Sequence, residues 1–311
     1  MNSRIHPKHK TKYRVTNWAE YDQALVERGD VTLWIPPAAI QAWTARPSGR
    51  RGTPQKYTDL AIETALTLRL VFRLPLRQAE GFLRSLFDLM GLSLEAPDHT
   101  TVSRRSKGLD VKLVAIQSTK PIHLIIDSTG LSIVGEGEWA AAKHGERGWR
   151  KLHIGVDRAG MIRAQVLAGI SGDDATTGIK VIKKTKGKLS SITGDAAYGT
   201  VAIYNQAGSR GARVVVPPAR SASVTGGKPR SAESDRTIRR VAQVGRQRWK
   251  KESGYHRQGT VENAFFRYKS MPGDRLHARA LAAQKTEVAI GCKVLNRLLV
   301  LGRPRSVAIA P

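Results

Sequence analysis

From about residue 118 onward, short apolar runs of strand length alternate with stretches of helical period, and two of the runs lead into an aspartate. Pro121–Asp127 (PIHLIID) is the first of these, and Ser190–Thr193 running into Gly194-Asp195 is the second. Leu131–Val134 and Lys151–Val156 follow the first run. Asp157–Gly160 (DRAG) reads as a hairpin turn and Met161–Ala168 as its return strand, so three antiparallel strands are expected. Asp174–Lys186 has a helical pattern. A helix near Thr200–Ala207 and a strand at Ala212–Val216 come after the second aspartate, and Thr260–Lys269 and Ala280–Leu301 read as later helices.

Three strands, a helix, a fourth strand and a late helix form the order of an RNase H-like domain. The expected fold class is therefore α/β, a mixed sheet flanked by helices. The chain before it reads differently. Residues 1–50 form an N-terminal arm with Trp18, Trp34 and Trp43. Residues 51–112 form a small all-α domain. Thr58 is placed to cap a helix over Asp59–Phe72, Pro75 to open a second through Met90, and Asp98 to introduce a short third helix, His99–Leu109. That last helix exposes Arg104, Arg105 and Lys107, which fits a helix-turn-helix arrangement; an ordinary three-helix bundle is the alternative. Residues 118–311 then carry the α/β domain.

Charge sets the class of partner. The 311 residues hold 52 Lys+Arg against 25 Asp+Glu, a formal net charge of +27. With 41% hydrophobic residues the chain can bury a core, so this charge belongs to a folded protein that needs a polyanion. Residues 1–50 contribute +4, residues 51–117 +3, and residues 118–311 +20. Within the last part, Arg210–Lys251 has 12 basic residues and only Glu233 and Asp235. Double-stranded DNA is the expected partner and a membrane is not. The best apolar stretch, Ala280–Leu301, is broken by Lys285, Glu287, Lys293 and Arg297, and the first fifteen residues lack the apolar core of a secretory leader. Cys292 is the one cysteine, which excludes a disulfide scaffold and a cysteine-rich zinc module and fits a reducing compartment. A cytoplasmic location is expected.

Three acidic residues stand out by position. Asp127 ends the first strand, Asp195 follows the fourth, and Glu262 lies in the first turn of a later helix. Parallel neighbours in an open sheet present their C-terminal ends together, so Asp127 and Asp195 are expected to meet at that edge with Glu262 reaching it from the packed helix. Taken singly, each has a structural alternative as a turn cap or a dipole partner. Converging carboxylates need cations, and hard oxygen ligands suit Mg²⁺ or Mn²⁺. Two such ions support in-line phosphoryl displacement. On the Glu262 helix, Val261, Ala264, Phe265 and Tyr268 form the expected buried stripe. Glu262 and Lys269 share another face, where the lysine is placed to hold a phosphate.

At these residues the chain resembles the DDE transposases of bacterial insertion sequences, of insertion-sequence family five. The matching words are Ile126-Asp127-Ser-Thr-Gly-Leu131, Lys143-His-Gly145 with Trp149-Arg-Lys-Leu-His153, Gly172-Asp-Asp-Ala175, Gly194-Asp-Ala-Ala-Tyr-Gly199, and Tyr255-His-Arg257 with Val261-Glu-Asn263. They cover residues from about 120 to 270. The resemblance implies an RNase H-like catalytic domain, two divalent metal ions, and cutting and joining at the terminal inverted repeats. Carried over by motif, the catalytic and metal-binding triad is Asp127, Asp195 and Glu262. The family's helix pattern is Tyr, two residues, Arg, three residues, Glu, six residues, Lys. Tyr255, Glu262 and Lys269 keep it, whereas Gln258 stands at the arginine position with Arg257 one residue earlier.

Lys143, His144, Trp149, Arg150 and Lys151 are expected DNA contacts near the acidic edge, together with Tyr255, Arg257 and Lys269. A hairpin carrying Trp149 could stack on an unpaired base. Acting on two DNA ends calls for a homodimer on DNA. Two other functions stay open at this point: a catalytically inactive DNA-binding regulator derived from a transposase, and another RNase H-like nuclease.

Overall fold

The computed structural model describes residues 13–46, 54–113, 118–135, 148–224 and 232–309. Its framework is a six-stranded mixed sheet. A short strand β1 (Tyr13–Val15) pairs outside it, antiparallel with β8 (Ser306–Ala308), and ties the start of the described chain to its end. The main sheet holds β2 (Ile122–Ile133), β3 (Trp149–Val156), β4 (Ile162–Gly169), β5 (Leu189–Thr193) and β6 (Arg213–Val215) in the order β4-β3-β2-β5-β6, with β7 (Arg275–Leu276) also pairing β2. The β2-β3-β4 pairs are antiparallel, and β5 and β6 join in parallel. This is the strand order of an RNase H-like domain, as the alternation of runs predicts.

Local chemistry sets the corners. Asp157 turns β3 into β4: its Oδ1 accepts from the amides of Ala159 and Met161 at 2.8 and 3.0 Å, and Gly160 takes the positive φ of 79°. Asp173 accepts from the Thr176 amide and so caps helix α7 (Asp174–Lys184). Thr200 caps α8 (Val201–Gly208) in the same way.

Alternation along β2 sends Leu124 and Ile126 to one face and Ile125, Leu131 and Ile133 to the other. The first set packs with Val181 and Ile182 of α7 and Ile203 of α8. The second packs under α11 (Gly259–Ser270) and α12 (Leu281–Leu301), through Val261, Ala264, Phe265, Tyr268, Val288 and Leu295. The buried stripe of α11 is the one that its spacing predicts. Helices α9 (Ala232–Val244) and α10 (Arg246–Ser253) lie between β6 and α11 in the chain, and Glu233 accepts the Val214 amide at 3.0 Å, closing the free edge of the sheet.

Between residues 18 and 105 the described elements are helices: α1 (Trp18–Glu27), α2 (Val31–Trp34), α3 (Pro37–Gln41), α4 (Asp59–Val71), α5 (Leu76–Leu89) and α6 (His99–Arg105). Thr58 and Asp98 cap α4 and α6 as their positions predict. Trp34 and Trp43 are buried in one cluster with Ile62, Leu68, Leu83 and Phe87, and Ile290, Val294 and Leu298 of α12 complete it. Helix α12 therefore serves both the sheet and the N-terminal helices. Among the described residues, no helix is long and apolar enough to cross a membrane.

Candidate active site

The strand that carries Asp127 is longer than its sequence suggests. Pro121–Asp127 and Leu131–Val134 belong to one continuous strand, so Asp127 sits in mid-strand and does not end it. Ser128-Thr129-Gly130 resembles a turn in sequence, yet β3 pairs straight through it, with Ser128 opposite His153 and Gly130 opposite Lys151. Gly130 is there for packing: a Cβ at this position would lie 3.3 Å from the Trp149 ring.

The edge arises from the neighbour instead. β5 pairs with β2 only as far as Thr193, opposite Ile125, and β7 takes up β2 again only at Ser132. Between those points β2 keeps its β3 partner and, among the described residues, has no strand on the β5 side. Asp127 and Asp195 each lie two residues beyond the Ile125–Thr193 pair. Carrying that register two residues further, on adjacent parallel strands roughly 4.8 Å apart, puts them level at this edge. Asp195 continues the extended backbone and accepts from the Ala197 amide at 2.9 Å, which starts a 3₁₀ turn over Ala196–Tyr198. Glu262 stands exposed in the first turn of α11, the helix packed on β2 and β3.

Electrostatics couples the three. Burial pushes the Asp127 carboxyl up. The Ser128 amide, donating to it at 2.8 Å, pulls it down; Asp195 and Glu262 push it up again, and Gln258 pulls it down. Tyr255 is raised by burial and then by Asp195, Asp127 and Glu262, so all three carboxylates act on its phenol. Among the described residues no cation forms an ion pair with any of them. As the described side chains stand, no three His, Cys, Asp or Glu close around a single ion. The chemistry of the donor set still fits a hard divalent cation: three acceptor-only carboxylates, mutually repelling, with no soft ligand in the set.

The segment before α11 explains the departure at Gln258. Gly254 adopts a left-handed φ of 74°, and Tyr255–Gln258 forms a 3₁₀ turn. In this turn Gln258 points inward, donating from Nε2 to the Ile126 carbonyl at 3.4 Å beside Asp127, while Arg257 remains exposed. Lys269 is exposed on the Glu262 side of α11. Tyr255 stacks near Trp249, and Lys250 lies over its ring at 5.1 Å.

Several expected DNA contacts are occupied by the protein. Arg105 is not freely exposed: it donates to the Tyr57 carbonyl at 2.9 Å and pairs with Asp59 at 2.5 Å. Arg150 donates to Gln284 at 3.0 Å, and Lys151 pairs with Asp174 at 2.6 Å. Arg104, Lys107 and Trp149 are exposed. Lys143 and His144 lie outside the described residues.

Sequence reasoning assigned no role to the residues beneath the aspartates. The Tyr198 ring lies between two glycines; a Cβ would come within 2.7 Å of it from Gly178 and 2.9 Å from Gly194. Its Oη lies 3.4 Å from Nδ1 of the fully buried His153. The signal was present in the words Gly194-Asp-Ala-Ala-Tyr-Gly199 and Trp149-Arg-Lys-Leu-His153, as residue identity without a stated job. His153 Nε2 is 3.6 Å from Asp174 Oδ1, but Lys151 already neutralises that carboxylate. Burial therefore dominates and lowers the imidazole to about 4. The sign follows from linkage. Between pH 6.5 and 4 the unfolded chain binds a proton that the folded one refuses. Stability is full above about 6.5 and falls by roughly 3 kcal/mol as pH drops to 4. Urea melts of His153→Gln against wild type over this range check it: the variant loses most of that slope, and an equal slope in both contradicts the buried neutral imidazole.

The strand order and its helical layers define an RNase H-like domain. Residues 118–297, more than half of the chain, match a family model described as a transposase DDE domain, and residues 26–136 match a second model of the same description. The chain belongs to the DDE transposases, enzymes that cleave DNA and transfer its strands.

Proposed function

We propose that the protein binds the terminal inverted repeats of its own insertion sequence, of family five, and cuts and rejoins DNA there with Asp127, Asp195 and Glu262. The observation that carries this reading is the level placement of Asp127 and Asp195 where β5 stops, with Glu262 within electrostatic reach of Asp127. The three carboxylates are the groups that would hold Mg²⁺ or Mn²⁺, two ions in the full site. Bound there, the ions would activate a water or 3′-hydroxyl and stabilise the leaving oxygen.

The chain's own residues do the rest. The Ser128 amide fixes the Asp127 carboxylate, and the Ala197 amide fixes that of Asp195. Lys269 and Arg257, both exposed, take phosphates of the bound strand, and Tyr255 closes the acidic pocket from the side. Trp149, half exposed at the start of β3, offers a ring to an unpaired base. Arg104 and Lys107, exposed on the helical DNA-binding segment of residues 51–112, contact the repeat. The catalytic domain spans residues 118–311, and two protomers act together on two ends.

A cleavage assay tests this. Linear DNA carrying the element's terminal repeat, incubated with the protein and Mg²⁺, is expected to be nicked at the repeat boundary with a free 3′-hydroxyl. Cutting of branched DNA or RNA–DNA hybrids with no preference for that boundary contradicts it.

A further inference from the structure

Three arginines and a histidine gather on the sheet next to the acidic edge. His123 lies four residues before Asp127 on the same face of β2. Its Nδ1 is 2.8 Å from Oγ of Ser191, its neighbour on β5. Arg213 pairs with Ser191 from the far side, on β6. Arg158 stands in the turn after β3, two residues beyond Val156, which pairs with Ile125 on the other flank of β2. Arg257 reaches the same spot from the 3₁₀ turn: His123 is lowered by burial and then by Arg158, Arg257 and Arg213, and Arg158 is lowered by burial and then by Arg257 and Arg213. Arg158, Arg213 and Arg257 are exposed and His123 is half-buried. Among the described residues, no carboxylate lies within ion-pair distance of any of the four.

Three guanidinium charges brought together around one imidazole, without a counter-charge among the described residues, make a site for an anion. We propose that Arg213, His123, Arg158 and Arg257 form a phosphate-binding subsite for the DNA strand that leaves the catalytic edge. This rests on the transposase reading above. Along β2 the subsite lies about 13 Å from Asp127 at roughly 3.3 Å per residue. That is about four nucleotide steps at 3.4 Å of helix rise each. The Ser191 hydroxyl, in the middle of the row, orients the imidazole between the arginines.

The test uses full-length protein and end DNA in EDTA, so that binding is read without cutting. The Arg158→Gln/Arg213→Gln variant alters two exposed side chains. It is expected to lower the slope of log K against log salt by about 2. Lys183→Gln, on the opposite layer, leaves the slope as in wild type. An unchanged slope in the double variant overturns the subsite, whether or not the protein cuts DNA. A neutral methylphosphonate placed about four steps from the cut site weakens wild type and not the double variant; equal weakening of both overturns it as well. Inorganic phosphate is the remaining arm. At matched ionic strength it is expected to compete no better than chloride. Displacement by phosphate alone, with no methylphosphonate response, overturns the assignment to a DNA strand. Absence of cutting by wild type in Mg²⁺ instead removes the catalytic reading while leaving these binding results to stand.

Discussion

Asp127→Asn is expected to stop Mg²⁺-dependent nicking while leaving the fold and the binding of end DNA in place. The amide keeps the shape of the carboxylate and can still accept from the Ser128 amide, so β2 and its register have no cause to move. What it loses is the charge that the chemistry needs. Metal-assisted charge stabilisation is worth several kcal/mol, and about 4 kcal/mol corresponds to roughly a 10³-fold loss of rate. A second signature separates this loss from simple damage. Burial, and then Asp195 and Glu262, push the Asp127 carboxyl up, so removing its charge relieves both the burial cost and the repulsion in the metal-free protein. The variant should therefore melt no lower than wild type in EDTA. Nicking at the wild-type rate contradicts the assignment, as does a loss of activity accompanied by a lower melting temperature.

The second large effect concerns stability. Tyr198 is 1% exposed and lies beneath both aspartates, its ring held between Gly178 and Gly194 and its hydroxyl toward His153. Tyr198→Ala is expected to cost about 3–5 kcal/mol, as for other buried aromatics cut to alanine. Gly178→Ala alone forces a methyl to within 2.7 Å of the ring, an overpacking worth about 1–3 kcal/mol. In the Tyr198→Ala background the same methyl enters the space the ring has left. Its cost should vanish or change sign, so the two substitutions couple strongly. Urea denaturation of the four proteins measures the coupling, and additive losses contradict the clamp. This packing also explains why small residues flank the second aspartate: Gly194 lets the chain turn across the ring that supports it.

Periodicity carried much of this architecture. The stripe on α11, the Asp157 hairpin and the caps at Thr58 and Asp98 all follow from side chains acting within a few residues of themselves. The mid-strand position of Asp127 was not legible. Where an edge falls on β2 depends on how far β5 extends, and β5 lies more than fifty residues away in sequence. The same limit applies to the cations. Arg105, Arg150 and Lys151 look free in sequence and are held by Asp59, Gln284 and Asp174 across the fold. Gln258 is buried and Arg257 exposed because a 3₁₀ turn, and not an α-helix, precedes Gly259. Helix α12 reads as amphipathic, yet it is buried against two sets of partners, one of them made by residues 31–111.

The central claim is that Asp127, Asp195 and Glu262 act as one metal site. Diffraction from crystals of the protein with end DNA and Mn²⁺, recorded to give anomalous signal from manganese, tests it most directly. Peaks bounded by these three carboxylates, one or two of them and about 4 Å apart if two, are expected. Manganese bound elsewhere, for example at Asp173 and Asp174, with Glu262 turned away from both aspartates, would contradict it.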